Sequence, residues 1–422
     1  MPDYKKRKRN KLLSSPKKPK VNKAEDNDIK MSPYSAAKRS GDIKVVKGGK
    51  GRNKRKYQFL SVLAAVIIVV VVLLETLIPA GLVHTVDLGI SLIGSGGYPI
   101  ELQDTQTVNT VSMGTYYYVL SGTKISAFSN SGKQLLDYTH GFENPVIKTS
   151  EKILLLYSQG GTELLVFDFK RLKFTVKTDK PIITANASDS GNFAVACSSD
   201  KYASQVTVYG SRGKELYEWY SAEDTVNSIA LSRNGKKLAV ASFNAKSGEY
   251  KSKLSILNFK SATPEYTESF DDTLIYSLSS KFSSKLTVVL PSKIKSINWS
   301  NYKSLEYTND YNISVFKSYK GGNIAVFNRE SNQTDNKIAV LGHNGKLKFQ
   351  FTVNMIISDI ALLGNHIYIM NETEVICIDR EGKIINKASC GFGGIDIVPV
   401  SFDTVLVVTD NKTEKIKIEK EK

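Results

Sequence analysis

The chain has little with which to staple, ligate or catalyse. Its three cysteines, Cys197, Cys377 and Cys390, cannot all pair within one chain, and none stand at C-x-x-C spacing. A disulfide-held fold is excluded, and zinc or thioredoxin-type sites have no support. Each thiol sits in or beside an apolar run ("FAVACSS", "EVICID"), where it packs as a small hydrophobe. The four histidines are scattered, and no H-E-x-x-H, G-x-S-x-G or P-loop pattern occurs. No catalytic residue, metal or cofactor is therefore expected. After residue 83 no helical period survives over ten residues, so helices are not expected beyond that point.

What is abundant is unevenly spread. Residues 1–56 hold 20 Lys/Arg against five Asp/Glu, whereas the remaining residues hold 38 against 36. The net charge of +17 is thus the property of a tail, and the rest is nearly neutral. The tail is rich in charge and poor in aromatics, a composition that cannot bury enough apolar surface to order itself. It is expected to be disordered.

Phe59 to Leu74 is sixteen residues with no charge and only Ser61 polar, and "LIPAGLV" resumes after Glu75 and Thr76. About 20 apolar residues cross a bilayer core as a helix, so residues 57–79 are expected to form one transmembrane helix. "KGGKGRNKRK" precedes it, and residues 79–100 carry no Lys or Arg. The positive-inside rule then puts the N-terminus in the cytoplasm and the remainder outside the cytoplasmic membrane. Lys50, Arg52, Lys54, Arg55 and Lys56 would face anionic headgroups, each gaining about 1 kcal/mol; membrane lipid is a more natural partner for them than nucleic acid. Residues 80–97 contain "GSGG" and read as a flexible stalk.

From Tyr98 to Lys422 the pattern is short alternating runs rich in Val, Ile, Tyr, Phe and Thr, which argues all-β. Turns recur near Gly114, Ser150, Gly191, Gly235, Ser283, Gly322, Gly364 and Phe402, at gaps of 36 to 48 residues. That period fits four-stranded blades of a β-propeller. A second turn is written four times, as "SNSGKQLL", "GSRGKELY", "GHNGKLKF" and "DREGKIIN", with Gly132, Gly213, Gly345 and Gly382 at the positions that need φ > 0. It reads as the hairpin between third and fourth strands. The eighth unit stops one strand short, while "YPIELQD" (Tyr98–Asp104) is a strand without a unit. Eight blades closed by that N-terminal strand are expected, with seven as the alternative.

"IALSRNGKKLAVAS" (Ile229–Ser242) resembles the "SPDGKKLAVAS" repeat of WD-like and Tol-system propellers, with Arg233-Asn234 in place of Pro-Asp. The Gly-Lys turns resemble the quinoprotein-like repeat. The layout as a whole resembles uncharacterised single-pass, membrane-anchored propellers of Gram-positive bacteria, which carry a domain of unknown function. The resemblance implies a fold and brings no catalytic residue with it. Quinone-dependent dehydrogenases of similar fold carry a tryptophan motif in most blades, but this chain has only Trp219 and Trp299.

Binding on a propeller concentrates in irregular loops. The least regular are "FNAKSGEYKSK" and "NRESNQTDNK", which share one face with the inter-blade links carrying Glu143, Asp179, Glu223, Asp224, Asp271, Asp272 and Asp310. A partial acidic ring there could hold a cation or a basic partner, although Asp and Asn are also simply good turn formers. The leading expectation is a non-enzymatic module that binds or scaffolds a cell-envelope protein or polymer. A glycan hydrolase or lyase working in the funnel is the alternative, and a transmembrane sensor signalling through the tail is the third.

Overall fold

The computed structural model describes residue 62 and residues 80–102, 106–246, 248–329 and 332–420. The expected tail and its lipid-facing Lys50, Arg52, Lys54, Arg55 and Lys56 lie outside the described residues, as does the membrane span, residue 62 apart. Among the described residues no helix is long and apolar enough to cross a membrane.

Eight antiparallel sheets, each with a core of four strands, follow one another along the chain and form an eight-bladed β-propeller. Blades 1 to 7 span residues 107–139, 145–177, 182–221, 225–271, 277–308, 312–354 and 359–389; blade 8 takes three strands from 394–417. Burial explains the composition of each strand. Second strands such as Tyr116–Ser121 and Phe193–Cys197 are buried throughout, because neighbouring blades cover both of their faces. Fourth strands such as Leu172–Lys177 and Tyr266–Asp271 alternate between half-buried and exposed, because only one face is covered.

The ring closes as the orphan strand foretold. Ile100 and Glu101 pair with Thr413 and Lys412 on the outer edge of blade 8, and Leu102 N–H donates to Asn411 O at 2.7 Å. Eight apolar clusters fill the eight junctions between blades. The one joining blades 8 and 1 contains Val398, Leu406, Tyr117 and Val119, with Tyr98, Ile100 and Leu102 packed on it. Each blade thus covers its neighbour, and no junction is left open to water.

The repeated glycine turn is one piece of geometry used four times. Gly132, Gly213, Gly345 and Gly382 have φ of +84°, +79°, +84° and +84°. In each case the glycine N–H donates three residues back, and the residue that accepts this bond donates in turn to the lysine after the glycine, as in Gly345 N to Gly342 O and Gly342 N to Lys346 O. Blades 2, 4 and 5 lack the glycine. There a side chain closes the turn: Asp168 Oδ1 accepts from the N–H groups of Lys170 and Arg171, Asn258 Oδ1 from Lys260, and Asn298 Oδ1 from Ser300.

Four features differ from the sequence reading. A twelve-residue helix, α1 (Ala80–Ser91), stands where no helix was expected. The stalk is not a free spacer: Leu88 and Leu92 pack on the core between blades 1 and 2, Asp87 pairs with Lys170 at 2.6 Å, and Lys133 Nζ donates to Ser91 O and Ile93 O. Its glycines serve close approach rather than looseness, since Gly96 and Gly97 donate to Ser131 O and a Cβ on Gly132 would lie 2.2 Å from Gly97 O. The two irregular loops are extensions of hairpins, Lys237–Lys246 with Glu249–Asn258 and Gly322–Arg329 with Asn332–Leu341, because the ladder continues past the blade edge. Lastly, Glu419–Lys420 crosses to blade 7 and adds a fifth strand there.

Candidate functional site

The acidic residues singled out in the sequence do lie on inter-blade links, but they do not form a ring. Glu223, Asp224, Asp271 and Asp272 line one cleft of about 490 Å³ beside the extended hairpin of blade 4, together with Asn244, Tyr250 and Lys251. Two of its carboxylates already have partners: Lys251 Nζ sits 2.8 Å from Asp271, and Asn244 Nδ2 donates to Asp224 Oδ1 as well as to the backbone Glu223 O. Asp310 stands apart on the link before blade 6, its side chain 93% exposed and 3.8 Å from Lys337. Glu143 and Asp179 are exposed on the links after blades 1 and 2. Among the described residues no three His, Cys, Asp or Glu side chains are placed to hold a metal ion, and all three cysteines are buried and free.

The enclosed site lies elsewhere, in the central channel. A cavity of about 350 Å³ is walled by the first strands of blades 1, 2, 3, 5, 6 and 8. Its lining gathers at the C-terminal ends of those strands and in the turns that follow them (Ser150, Ser188, Asp189, Arg233, Lys281). The cavity therefore belongs to the end of the channel that carries the first-to-second and third-to-fourth turns. Helix α1 docks on that same end, through Lys133 and Lys170. The acidic cleft belongs to the opposite end.

Two charge clusters brace the wall. Lys317 of blade 6 pairs with Asp359 of blade 7 and, at 3.0 Å, with Asp396 of blade 8, so one ammonium ties three successive blades. Asp359 is 5% exposed and also accepts the Ile397 N–H at 2.9 Å. Burial opposes the charge on Lys317, but Tyr319, Asp359 and Asp396 together prevail and raise its pKa well above that of an ordinary lysine. Burial, helped by the Asp359 charge, pushes the Asp396 carboxyl up to about 8. At the cavity rim Arg233 of blade 4 reaches Glu151 of blade 2 at 3.3 Å and Asp189 of blade 3 at 3.0 Å. Asp189 is raised above the usual carboxylate range by burial, with Arg233 opposing.

Two further lysines, Lys148 of blade 2 and Lys281 at the end of blade 5's first strand, reach the same cavity. Both are open to channel water yet ringed by protein, and burial lowers the pKa of each, that of Lys281 to about 8. Sequence reasoning missed all of these groups. Blades 2 to 8 contribute one or two of them each, roughly 40 residues apart from blade to blade, so they never form a motif. The available signal was a charged residue within an apolar first strand, as in "PVIKTS" or "ISVFKSY".

Comparison with known proteins supports this architecture. The chain is similar to the solved C-terminal WD40 domain of Sif2, with 10% identity and a TM-score of 0.54 over 77% of this chain and 100% of that one. It is also similar to apo AztD from Citrobacter koseri, with 13% identity and a TM-score of 0.48 over 75% of this chain and 90% of that one. At such identity the likeness to the WD40 domain shows the fold alone, and no curated protein matches the chain. The model of one family, described as "Family of unknown function (DUF5711)", matches residues 98–418, the whole propeller as far as its last core strand, and the chain belongs to that family.

Proposed function

We propose that the chain is a non-enzymatic binding module, anchored by residues 57–79 in the cytoplasmic membrane with its propeller outside, that engages a cell-envelope protein or polymer. The observation that carries this reading is the channel cavity: a half-open enclosure whose charged groups are mostly locked into inter-blade pairs. Such a wall is suited to holding a ligand rather than to moving protons. Basic Lys50 to Lys56 fits the cytoplasmic side, next to anionic headgroups. Cross-linking on intact cells, followed by recovery of the full chain, tests the reading. An envelope protein or polymer should co-purify, and externally added protease should cut the propeller. A propeller shielded from protease in intact cells would refute the topology, and recovery of the chain alone would refute the partner.

One observation favours a glycan-active alternative: Asp396, protonated near neutral pH, has the state of a general acid. Against it, Asp359 and Asp396 flank the same ammonium, so Lys317 fills the space a sugar ring would need between them. Loss of glycan cleavage on Asp396→Asn would favour the enzyme.

A further inference from the structure

Once the paired charges of the channel are set aside, two cations remain. Lys317 is neutralised among Asp359 and Asp396, and Arg233 by Glu151 and Asp189. Lys148 and Lys281 make no ion pair among the described residues. Lys281 Nζ donates to a hydroxyl, Thr149 Oγ1, at 2.9 Å. Burial does most to disfavour the charge on Lys281; Asp189 offsets part of this, and Lys148 adds to it. Two ammonium groups held in one half-enclosed cavity repel more strongly than in open water, because protein on most sides reduces the solvent that would screen them. Asp189 relieves only part of that repulsion.

The other lining groups are donors of the kind that complete an oxyanion's shell. Thr110, Ser279 and the Asn109 amide line the cavity, as do Ser188 and Ser280, whose hydroxyls already donate to Asn192 O and Leu231 O. Thr110 Oγ1 is buried without a hydrogen-bond partner. A buried hydroxyl in that state is costly unless a ligand or water meets it. The enclosure of about 350 Å³ accommodates a tetrahedral oxyanion with a short organic stem.

We propose that the channel cavity binds a compact phosphate dianion, free or as the terminal group of a small ester, between Lys148 and Lys281. A dianion matches two ammonium charges, and its oxygens have lone pairs enough for the hydroxyl ring as well. The inference deepens the binding reading above and rests on it only in taking the channel as a ligand site. A partner on intact cells and an anion in solution are separate measurements, so either can fail alone.

The test is calorimetric titration of the detergent-solubilised full chain with inorganic phosphate and, separately, with glycerol 3-phosphate. One site per chain is expected. Lys148→Met and Lys281→Met should each weaken it by roughly tenfold to a hundredfold, the range of a lost charge-assisted hydrogen bond. Lys346→Met, in a turn outside the cavity, should leave it unchanged. Comparable affinities for the two anions assign free phosphate, and tighter binding of the ester assigns the ester. A second readout uses the natural chain and does not depend on the variants folding. Near pH 8 Lys281 is only partly protonated, with Lys148 and Asp189 as its nearest charged influences and the Arg233 and Lys317 clusters on the same wall. Anion binding should then draw a proton onto the protein, so the heat should vary with the ionisation enthalpy of the buffer. No binding of either anion at millimolar concentration, binding indifferent to both lysine variants, or binding without proton uptake would overturn the proposal.

Discussion

Replacing Asp396 by asparagine asks which group in the buried Lys317–Asp359–Asp396 cluster carries the negative charge. Burial and the neighbouring Asp359 carboxylate push the Asp396 carboxyl up to about 8, so near neutral pH it holds its proton. The cluster then contains one ammonium and one carboxylate, that of Asp359, which also accepts the Ile397 N–H at 2.9 Å. An asparagine at 396 keeps the oxygen that lies 3.0 Å from Lys317 Nζ and exchanges the carboxyl OH for an NH2 group. Asp396→Asn should therefore shift stability by no more than about 1 kcal/mol below about pH 4, where the carboxyl is protonated folded and unfolded alike. At pH 7 it should stabilise the chain by up to about 4 kcal/mol, because only the natural chain must take up a proton to fold there. Lys317→Met, by contrast, strands a buried carboxylate and should cost about 3–5 kcal/mol. For a domain of this size that is roughly 1.5 °C per kcal/mol, hence a melting point lower by roughly 5–8 °C. The sign of the pH dependence follows from a folded value above the unfolded one of about 3.9. The contribution of Asp396 is complete below about pH 4 and is lost as pH rises to about 8, with a slope reaching about 1.4 kcal/mol per pH unit. Asp396→Asn removes that slope. Thermal melting followed by circular dichroism between about pH 5 and 8 should give a flatter profile for the variant, whose advantage over the natural chain widens as pH rises. If Asp396→Asn melts as low as Lys317→Met at pH 7, or keeps the natural slope, Asp396 is ionised in the folded protein and the charge assignment is wrong.

Two further tests address the ring. Gly345→Ala forces a side chain into φ +84° and brings a Cβ to 2.7 Å from that of Ser296, whereas Gly160→Ala meets nothing within 4 Å at φ +83°. The second should cost only the backbone term of about 1–2 kcal/mol and the first about 1–3 kcal/mol more, measured by chemical denaturation; equal costs would mean that the turn does not pack on the neighbouring blade. Ile100→Asp places a charge in the apolar junction of blades 8 and 1 and weakens the closing strand. Amide exchange should then quicken along Lys412–Lys417 while Tyr116–Ser121 stays protected, and unchanged exchange along Lys412–Lys417 would mean that the N-terminal strand does not lock the ring.

The blade plan was legible because each turn is a local event. A glycine that must take positive φ, as at Gly132 or Gly382, announces itself within five residues whatever the rest of the chain does. The eight turns that set the register fall where the sequence put them, and the orphan strand at Ile100–Glu101 pairs as its missing partner required. What stayed hidden depends on distant partners. Helix α1 has no charged face to declare it, since its acid, Asp87, finds its cation 83 residues away on Lys170. The hairpin beyond Ser242 read as a loop because Asn244, Ala245 and Lys246 look like turn formers until Lys251, Tyr250 and Glu249 pair with them. The C-terminal Glu419–Lys420 leaves its own blade for the edge of another, a choice no local pattern encodes.

The same contrast tells where function resides in a repeated fold. A residue that serves the repeat recurs in every blade and can be found by its period; the apolar second strands and the turns do so. A residue that serves a ligand needs to occur once, and in a ring it reaches its partners only across the axis. Lys148 and Lys281 are of this kind: one lies on an otherwise ordinary first strand and the other in the turn just after one, and nothing in blades 2 and 5 repeats them elsewhere. The acids Glu223, Asp224, Asp271 and Asp272 drew attention because they sit together along the chain on visible links, yet there a link-forming role already accounts for them, with Asn244 and Lys251 as partners. Departure from the repeat, in a position that faces the axis, is the better guide to the site than clustering along the chain.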